Sequence, residues 1–285
     1  MTKMAANQTT AILVAAMPAY ERETNLEFAE QAISGNLKLL EGLLETTPHN
    51  EDLILLASRN YTCYAFGFIE EKIDRADEEK NFERKEKLIE NAVDFYRRGR
   101  KYGLQLIALS RKKFHLALEQ GIEELASELD HFNKRDIPGL FWTAYAWGNM
   151  INLQQDNPKL VAEIPKVILM MQRVLELDED YFFGGGHLFF GVYYGSRPQE
   201  LGGNPLKAKH HFERAIEIND GKYLMAKFLL VKYYAVSVQD REMFDQTLQE
   251  IRLAPSDLFP EQGLANKLAK RYAERWIGRI DEFFF

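Results

Sequence analysis

The chain has one cysteine among its 285 residues, so it cannot form an internal disulfide bond. Cysteine content therefore does not decide the redox compartment of the protein. Cys63 lies among apolar and aromatic neighbours in "NYTCYAFGF", and we expect it to be a buried thiol without a chemical role. Long hydrophobic runs are also scarce, because the run at residues 11–17 is too short to span a bilayer.

Basic residues are also fewer than acidic residues. Lys and Arg total 36 against 43 Asp and Glu, which gives a formal net charge of -7. A nucleic-acid partner is not expected, because binding to phosphate backbones requires dense positive charge. Basic clusters occur as "RRGRK" at residues 97–101 and "RKK" at residues 111–113, and both are interpreted as solvated faces of helices.

The usual signatures of catalytic and metal sites are not found. The sequence has no Gly-x-Ser-x-Gly elbow and no phosphate-binding loop with Gly-Lys-Ser/Thr. The glycines of "FGGGH" do not follow a predicted strand, so we expect a tight loop before a helix rather than a dinucleotide site. No two of the six histidines are spaced to share a helix face, and neither a metal nor a cofactor is predicted.

Apolar residues recur at helical spacing along nearly the whole chain. In "NLKLLEGLLETTPHN", for example, Leu37, Leu40 and Leu44 follow one helix face before the break at Thr-Thr-Pro. The alternating pattern of β-branched residues that is typical of strands is nearly absent. The sequence therefore predicts an all-α protein, with an N-terminal arm at residues 1–20 and a single helical domain at residues 21–285.

Copies of one helix pattern suggest repeated helical hairpins. "VILMMQRVLELDED" and "AKHHFERAIEINDG" share their apolar spacing, and the second has small, large and small residues at Ala208, Phe212 and Ala215. This spacing is typical of the second helix of a tetratricopeptide unit. Gly191 would be the small residue of the preceding helix, while Ser58 and Ala146 hold that position in two earlier helices. The predicted architecture is a compact α-α superhelix of cryptic tetratricopeptide-like hairpins.

The stretch "HLFFGVYYGSRPQELGGN" at residues 187–204 places four large aromatic residues just before a sharp break. Plain core packing, a stacking surface for a ligand and the wall of an active site are all consistent with it. On a helix, residues four apart stack along one side, and two such stripes leave apolar surface beyond what one neighbour covers. We expect the surplus to line an apolar cavity, for which the candidate residues are Tyr61, Tyr64, Trp142, Tyr145, Phe189, Phe190, Tyr193 and Tyr194.

Two polar residues stand at the ends of this stretch. His187 and Arg197 are candidates for anchoring an acidic group of a ligand. The alternatives are a buried histidine with its hydrogen bonds satisfied and an arginine that is solvated or caps the helix.

Several phrases occur together in an order that resembles one family. "LFWTAYAWGNMINL" comes first, then "GGGHLFFGVYYGSRP", then "LGGNP", and finally "QDR" before a late helix. This series is similar to the TatT component family of proteins associated with tripartite ATP-independent periplasmic (TRAP) transporters. The likeness extends from about residue 20 to the C-terminal "AERWIGRIDEFFF".

The resemblance implies a non-enzymatic periplasmic lipoprotein with an apolar cavity or pore. Such a protein is expected to bind the periplasmic solute-binding protein of a TRAP transporter and a small hydrophobic or organic-acid ligand. Homo-oligomers, trimers among them, are also expected. The sequence shows neither a signal peptide nor a lipid-accepting cysteine near its start. We expect both to have been trimmed, so that residues 1–20 lead to the lipid anchor, which is the expected contact with a membrane.

Two other functions remain open at this point. One is a general tetratricopeptide scaffold for protein–protein interaction, which would hold a peptide in its groove. The other is a helical-barrel carbohydrate-active enzyme, which needs two carboxylates across an aromatic cleft.

Overall fold

The computed structural model describes residues 2–284. All regular secondary structure in these residues is helical and none of them forms a strand, which confirms the predicted all-α class. The α-helices are α1 (Thr2–Arg22), α2 (Leu26–Thr46), α3 (Glu51–Tyr64), α4 (Glu70–Glu78), α5 (Phe82–Ser110), α6 (Phe114–Gln120), α7 (Ile122–Leu129), α8 (Ile137–Asn152), α9 (Pro158–Val161), α10 (Ile164–Leu177), α11 (Tyr181–Gly195), α12 (Pro205–Ile218), α13 (Leu224–Leu230), α14 (Arg241–Leu253), α15 (Gly263–Ile277) and α16 (Ile280–Phe283).

Short helices of other types continue or join these elements. Two five-residue π-helices, Ala65–Ile69 and Val231–Ala235, directly follow α3 and α13. Such π-bulges insert one extra residue into a helical turn. The 3₁₀ turns are Lys134–Asp136, Gln199–Leu201 and Pro260–Gln262.

The chain divides into two compact units. Unit 1 contains the described residues up to Met17 together with Glu27–Asp178, and unit 2 contains Pro18–Leu26 and Glu179–Phe285, of which Phe285 lies outside the described residues. The expected N-terminal arm falls within α1, apart from Met1, which is also outside them. Its role as a linker, and the single domain expected for residues 21–285, stay predictions.

In unit 1, the α2–α3 hairpin forms where the leucine spacing predicts it. Leu40 and Leu44 of α2 pack with Leu53 and Ile54 of α3 in a buried cluster. Asn50 caps α3, since its side chain accepts a hydrogen bond from the Leu53 backbone N–H at 3.1 Å. The cap satisfies a donor that the first turn of the helix leaves unpaired.

Helix α5 lies at the centre of unit 1 and packs against α3 and α8. Glycine makes the close approach possible, because a Cβ at Gly99 would overlap Thr62 of α3 and a Cβ at Gly103 would overlap Thr143 of α8. The Ser58 hydroxyl donates to the Gly99 carbonyl at 2.8 Å. Ser58, predicted as a small packing residue, is indeed fully buried at this helix contact.

In unit 2, α11 packs against α12 through the small and large residues predicted from the repeat pattern. Ala208, Phe212 and Ala215 are fully buried. A Cβ at Gly191 would lie 2.6 Å from the Phe212 ring, so α11 and α12 approach closely only because residue 191 has no side chain. The close pairing is present, whereas its assignment to a tetratricopeptide unit stays a prediction.

Two expectations about single residues are wrong. Cys63 is only partly buried, although its neighbours are apolar. The basic run at residues 97–101 is not a fully solvated face, since Arg97 and Lys101 are exposed but Arg100 is half-buried. Arg100 leaves the solvent because its guanidinium carbon lies 3.4 Å from the centroid of the Trp147 ring, over which it stacks.

Candidate ligand-binding site

The predicted aromatic residues of unit 2 form a continuous set of ring contacts centred on His211. Phe190 and Tyr194 of α11 each stack against the His211 imidazole of α12, with centroids 5.3 and 5.8 Å away. Phe190 also stacks on Tyr194 at 6.1 Å, as their four-residue spacing predicts. Phe189 and Tyr193 extend the set through edge-on contacts with their sequence neighbours. We call these four rings and His211 the aromatic–histidine cluster.

A chain of polar contacts ties the cluster to a carboxylate. His187 Nδ1 lies 3.0 Å from His211 Nδ1, and His187 Nε2 lies 3.1 Å from Glu179 Oε2. Glu179 also accepts hydrogen bonds from the Arg214 guanidinium at 2.7 and 3.2 Å. These bonds from Arg214, and then the bond from His187, lower the pKa of Glu179 to about 2. Glu179 is therefore ionised near neutral pH and acts only as an acceptor.

The ionised carboxylate fixes the tautomers of both imidazoles. Since Glu179 only accepts, His187 Nε2 carries the proton that it donates, and in the neutral ring His187 Nδ1 is then an acceptor. His211 Nδ1 must therefore donate to His187 Nδ1. This leaves His211 Nε2 as a lone-pair acceptor, and it forms no hydrogen bond with any described residue. The cluster thus offers an acceptor beside stacked rings.

Burial disfavours the charged form of both histidines. It lowers the pKa of His187, although Glu179 acts in the opposite direction. It also lowers the pKa of His211 to about 4, with smaller contributions from the nearby His187, His210 and Lys207. The pair is accordingly neutral near pH 7.

A left-handed turn brings Glu179 to His187. A regular helix would separate residues 179 and 187 by about 12 Å along its axis. Phe182, Phe183 and Gly184 instead have φ of 50°, 60° and 74°, so a left-handed kink precedes the regular part of α11. Positive φ disfavours residues with a Cβ by about 1–2 kcal/mol each. The turn expected before the helix is present, but Phe182, Phe183 and Gly184 form it, and Gly185 and Gly186 already have helical backbone. Phe183 stacks on Tyr223 at 5.2 Å.

Arg197, predicted as a polar anchor, binds its own helix end. Its guanidinium donates to the Tyr193 carbonyl at 3.0 Å and to the Ser196 hydroxyl at 3.2 Å. It also lies over the Tyr193 ring at 4.6 Å. Lys207 of α12 is a second cation at the cluster, with its ammonium 5.2 Å from the Tyr194 centroid and no ion pair with any described residue. Lys207 is therefore the cation more available to a ligand.

The other four predicted lining residues belong to unit 1, so the two sets are described separately. Tyr61 and Trp142 are fully buried, whereas Tyr64 and Tyr145 are half-buried. Trp142 and Tyr145 pack edge-on at 6.1 Å, and Tyr61 and Tyr64 both contact Phe95, at 5.5 and 5.3 Å. The lining role of all eight aromatic residues stays a prediction.

A family model described as the TRAP transporter T-component matches residues 22–284. The chain belongs to this family. An uncharacterized protein of Treponema pallidum (strain Nichols) is 22% identical over 267 residues, which cover 93% of this chain and 82% of the relative. Membership associates this T-component with a TRAP transporter, as the order of its motifs suggests.

Between residues 2 and 284, no helix combines the length and the apolar character needed to cross a bilayer. The same residues contain no group of three or more His, Cys, Asp or Glu side chains placed to hold a metal ion.

The sequence pattern did not single out three polar residues of this site, namely His211 of the cluster and the connected Glu179 and Arg214. One signal for His211 was present. The repeat pattern packs Phe212 on the helix that carries Gly191, which also brings its neighbour His211 close to that helix. No signal identified Glu179, since its contact with His187 depends on the left-handed turn.

Proposed function

We propose that this T-component binds the periplasmic solute-binding protein of its TRAP transporter and a small hydrophobic or organic-acid ligand. The match to the family over residues 22–284 is the observation that supports the transport role. In this proposal the protein does no chemistry on its ligand. It acts in the periplasm, is held to the membrane by a lipid anchor in its native form, and assembles into homo-oligomers, with a trimer as the expected state.

The aromatic–histidine cluster is the proposed ligand site. Its half-buried Tyr193 and Tyr194 offer ring faces on which a flat or apolar ligand can stack. Lys207 supplies an ammonium for a carboxylate, and His211 Nε2 supplies an acceptor for a hydroxyl or a carboxylic acid. Apolar walls with a few polar groups are the general form of small-molecule sites. We also propose that the cluster lines an apolar cavity or pore that encloses the ligand.

The partner half of the proposal can be tested by calorimetric titration. The purified T-component is titrated with the TRAP solute-binding protein encoded in the same genome, with and without its solute. The expected result is a specific complex of defined stoichiometry, and analytical ultracentrifugation gives the oligomeric state of the T-component alone. If this receptor does not bind but unrelated extended peptides do, a general peptide-binding scaffold is the better explanation.

The ligand half needs a probe of defined chemistry. Phenylacetate combines a ring with a carboxylate, and its binding can be followed through the NMR signals of the His211 imidazole. We expect Tyr194→Ala and Lys207→Met each to weaken binding about tenfold, which corresponds to about 1.4 kcal/mol. Tyr64→Ala is the matched control, because Tyr64 is one of the eight predicted lining residues but lies in unit 1, outside the cluster. It should leave the affinity unchanged. Equal affinity in folded Tyr194→Ala and wild type would exclude the cluster as the site.

A further inference from the structure

A second candidate site lies in unit 1, and none of the eight predicted aromatic residues lines it. It is a pocket of about 440 Å³ formed by α5 and the start of α6. Its α5 residues are 97, 100, 101, 104, 105 and 108, a spacing that places them on one stripe of the helix. The first half of the stripe is cationic and the second half is largely apolar. The volume falls in the range of about 300–1,000 Å³ that is usual for small-molecule sites.

Arg100 is the central cation of this pocket. Its guanidinium stacks on Trp147 with the carbon 3.4 Å from the ring centroid, which fixes the plane of the group. Arg100 Nε is buried without an acceptor, and the guanidinium forms neither an ion pair nor a hydrogen bond with any described residue. Burial lowers the pKa of Arg100, against the weaker effect of Glu163, yet arginine remains charged in proteins. A half-buried cation with an unpaired donor is a costly arrangement unless an anion completes it.

The charges around Arg100 leave the pocket positive. Lys101 forms no ion pair with any described residue. Arg97 is paired with Asp94 at 3.2 Å, but Asp94 also accepts from Arg98 at 2.9 Å. Glu163 pairs with Lys166 at 3.3 Å. Glu119 lies 3.3 Å from His115, which lines the α6 end of the pocket, away from the three cations of α5 in the lining sequence.

The rest of the pocket is suited to an apolar group. Leu104 continues the stripe one turn beyond Arg100, and the buried Phe114 ring lies at the start of α6. Gln105 also lines the pocket, but its amide donates to the Pro48 carbonyl at 2.8 Å. The polar anchor of a ligand would therefore be at the Arg100 end, and its hydrocarbon would extend toward Leu104 and Phe114.

We propose that this pocket binds a small organic anion, with its carboxylate on Arg100 and Lys101 and its apolar body on Leu104 and Phe114. A planar guanidinium matches a carboxylate through two parallel N–H···O bonds, which fits an Arg100 whose plane is fixed by Trp147. The site lies in unit 1 and does not depend on the aromatic–histidine cluster of unit 2. This proposal therefore stands or fails independently of ligand binding at the cluster.

Octanoate is a suitable probe, because it joins one carboxylate to a flexible hydrocarbon chain. Binding to the full chain is followed through the side-chain Nε–H signal of Arg100 in ¹⁵N spectra, assigned by its loss in Arg100→Lys. This readout reports on the pocket and not on other apolar surfaces. We expect octanoate to shift and sharpen the signal in a saturable way, and 1-octanol, which has no charge, to bind at least tenfold more weakly.

Variants separate the contribution of each cation, with Kd measured by calorimetry. Arg100→Met should weaken octanoate binding at least tenfold, and Lys101→Met about threefold, since an exposed ammonium contributes less. Lys87→Met is the control, because it removes an exposed cation from the same helix, and it should change Kd less than twofold. Lys101→Met leaves the stack on Trp147 intact, so its effect is informative even if Arg100→Met is less stable.

Three results would overturn the proposal. One is the failure of saturating octanoate to move the Arg100 signal, and another is unchanged affinity in folded Arg100→Met and Lys101→Met. The third is an Arg100 signal that responds to a hexaglutamate peptide or to inorganic phosphate but not to octanoate. In that case the pocket would be assigned to an acidic protein segment or to a simple anion.

Discussion

The two units contain aromatic residues at similar helical spacing, but the polar groups around those rings differ. In unit 1 the Tyr61 hydroxyl donates to Glu41 at 2.6 Å and the Tyr64 hydroxyl donates to Glu30 at 3.3 Å. Burial, followed by the negative charge of Glu30, raises the pKa of Tyr64 to about 12. In unit 2 the Tyr193 and Tyr194 hydroxyls form no hydrogen bond with any described residue. Carboxylates therefore hold the unit 1 tyrosines in place, while the unit 2 tyrosines keep their polar atoms available.

This difference separates structural rings from candidate binding rings better than sequence spacing does. A buried hydroxyl that donates its hydrogen to an ionised carboxylate has no donor left for a ligand. A half-buried ring whose hydroxyl has no partner can form a new contact without losing an old one. The comparison accordingly favours Tyr193 and Tyr194 over Tyr61 and Tyr64 as ligand contacts, and burial disfavours Trp142 as well. The following predictions test it.

The largest expected effect is the loss of the buried indole in unit 1. Trp142 is 1% exposed, so Trp142→Ala should lower the free energy of unfolding by about 3–5 kcal/mol. Tyr193→Ala in unit 2 should lower it much less, because that ring is only half-buried. Urea denaturation monitored by circular dichroism measures both. Equal losses would mean that the unit 2 rings are core residues too, which would contradict the distinction between the units.

A substitution that removes only a hydroxyl tests the polar part of the comparison. Tyr61→Phe removes a hydrogen bond to the ionised Glu41, which retains Lys38 and Arg98 as partners. We expect a loss of about 1.5–3 kcal/mol in unfolding free energy. Tyr193→Phe is the matched substitution in unit 2 and should stay within about 0.5 kcal/mol of wild type. A Tyr61→Phe protein as stable as wild type would show that the hydroxyl does not anchor the ring.

Helix contacts at glycine provide a third test, in which the two units should respond alike. Gly191→Ala places a Cβ 2.6 Å from the Phe212 ring, and overpacking of this kind costs about 1–3 kcal/mol. Gly103→Ala in unit 1 should have a similar effect through Thr143. Gly42→Ala is the control, since a Cβ there meets nothing within 4 Å and a helical alanine should gain up to about 1 kcal/mol. Chemical denaturation measures the unfolding free energy of the three variants. A Gly191→Ala protein as stable as wild type would contradict the close contact between α11 and α12 at this position.

The parts of this structure that the sequence predicts are those governed by local spacing. Leucine periodicity predicts the α2–α3 hairpin, and the small residues Ser58 and Gly191 identify close helix contacts. Helical spacing also predicts the stacking of Phe190 on Tyr194. These features follow from residues within a few turns of one another, where the period of the helix determines which side chains meet.

The contacts that the sequence does not predict are of two kinds. Some join residues that are far apart in the sequence, and others depend on an unfavourable backbone conformation. Arg100 stacks on Trp147, which lies on a different helix, so its departure from the solvated face depends on how α5 packs against α8. Phe182 and Phe183 adopt a left-handed conformation that phenylalanine normally avoids, and local propensity cannot indicate it. The link between Glu179 and His187 depends on that turn. The rings of the candidate site and His187 were therefore predictable, but the contact of His187 with Glu179 was not.

The smallest expected effect is a pH dependence that belongs to unit 2. The pKa of His211 is about 4 in the folded state, below the ordinary 6.5, so the unfolded state binds more protons between these values. The stabilisation from the neutral imidazole is complete above pH 6.5 and is lost as the pH falls from 6.5 to 4. A shift of this size corresponds to about 3 kcal/mol, and solvent around the half-buried ring reduces the expected loss to about 1–2 kcal/mol.

His211→Phe is the substitution that isolates this dependence. It keeps a ring between Phe190 and Tyr194 but cannot take up a proton. Urea denaturation at half-unit steps from pH 7 to pH 4 should show a shallower loss of stability in His211→Phe than in wild type. His115→Phe is the control, because His115 is exposed in unit 1 and lies outside the cluster. Parallel curves for wild type and His211→Phe would mean that the imidazole is solvated. The rings of unit 2 would then be as open as any surface tyrosine, and the distinction between the two units would need another explanation.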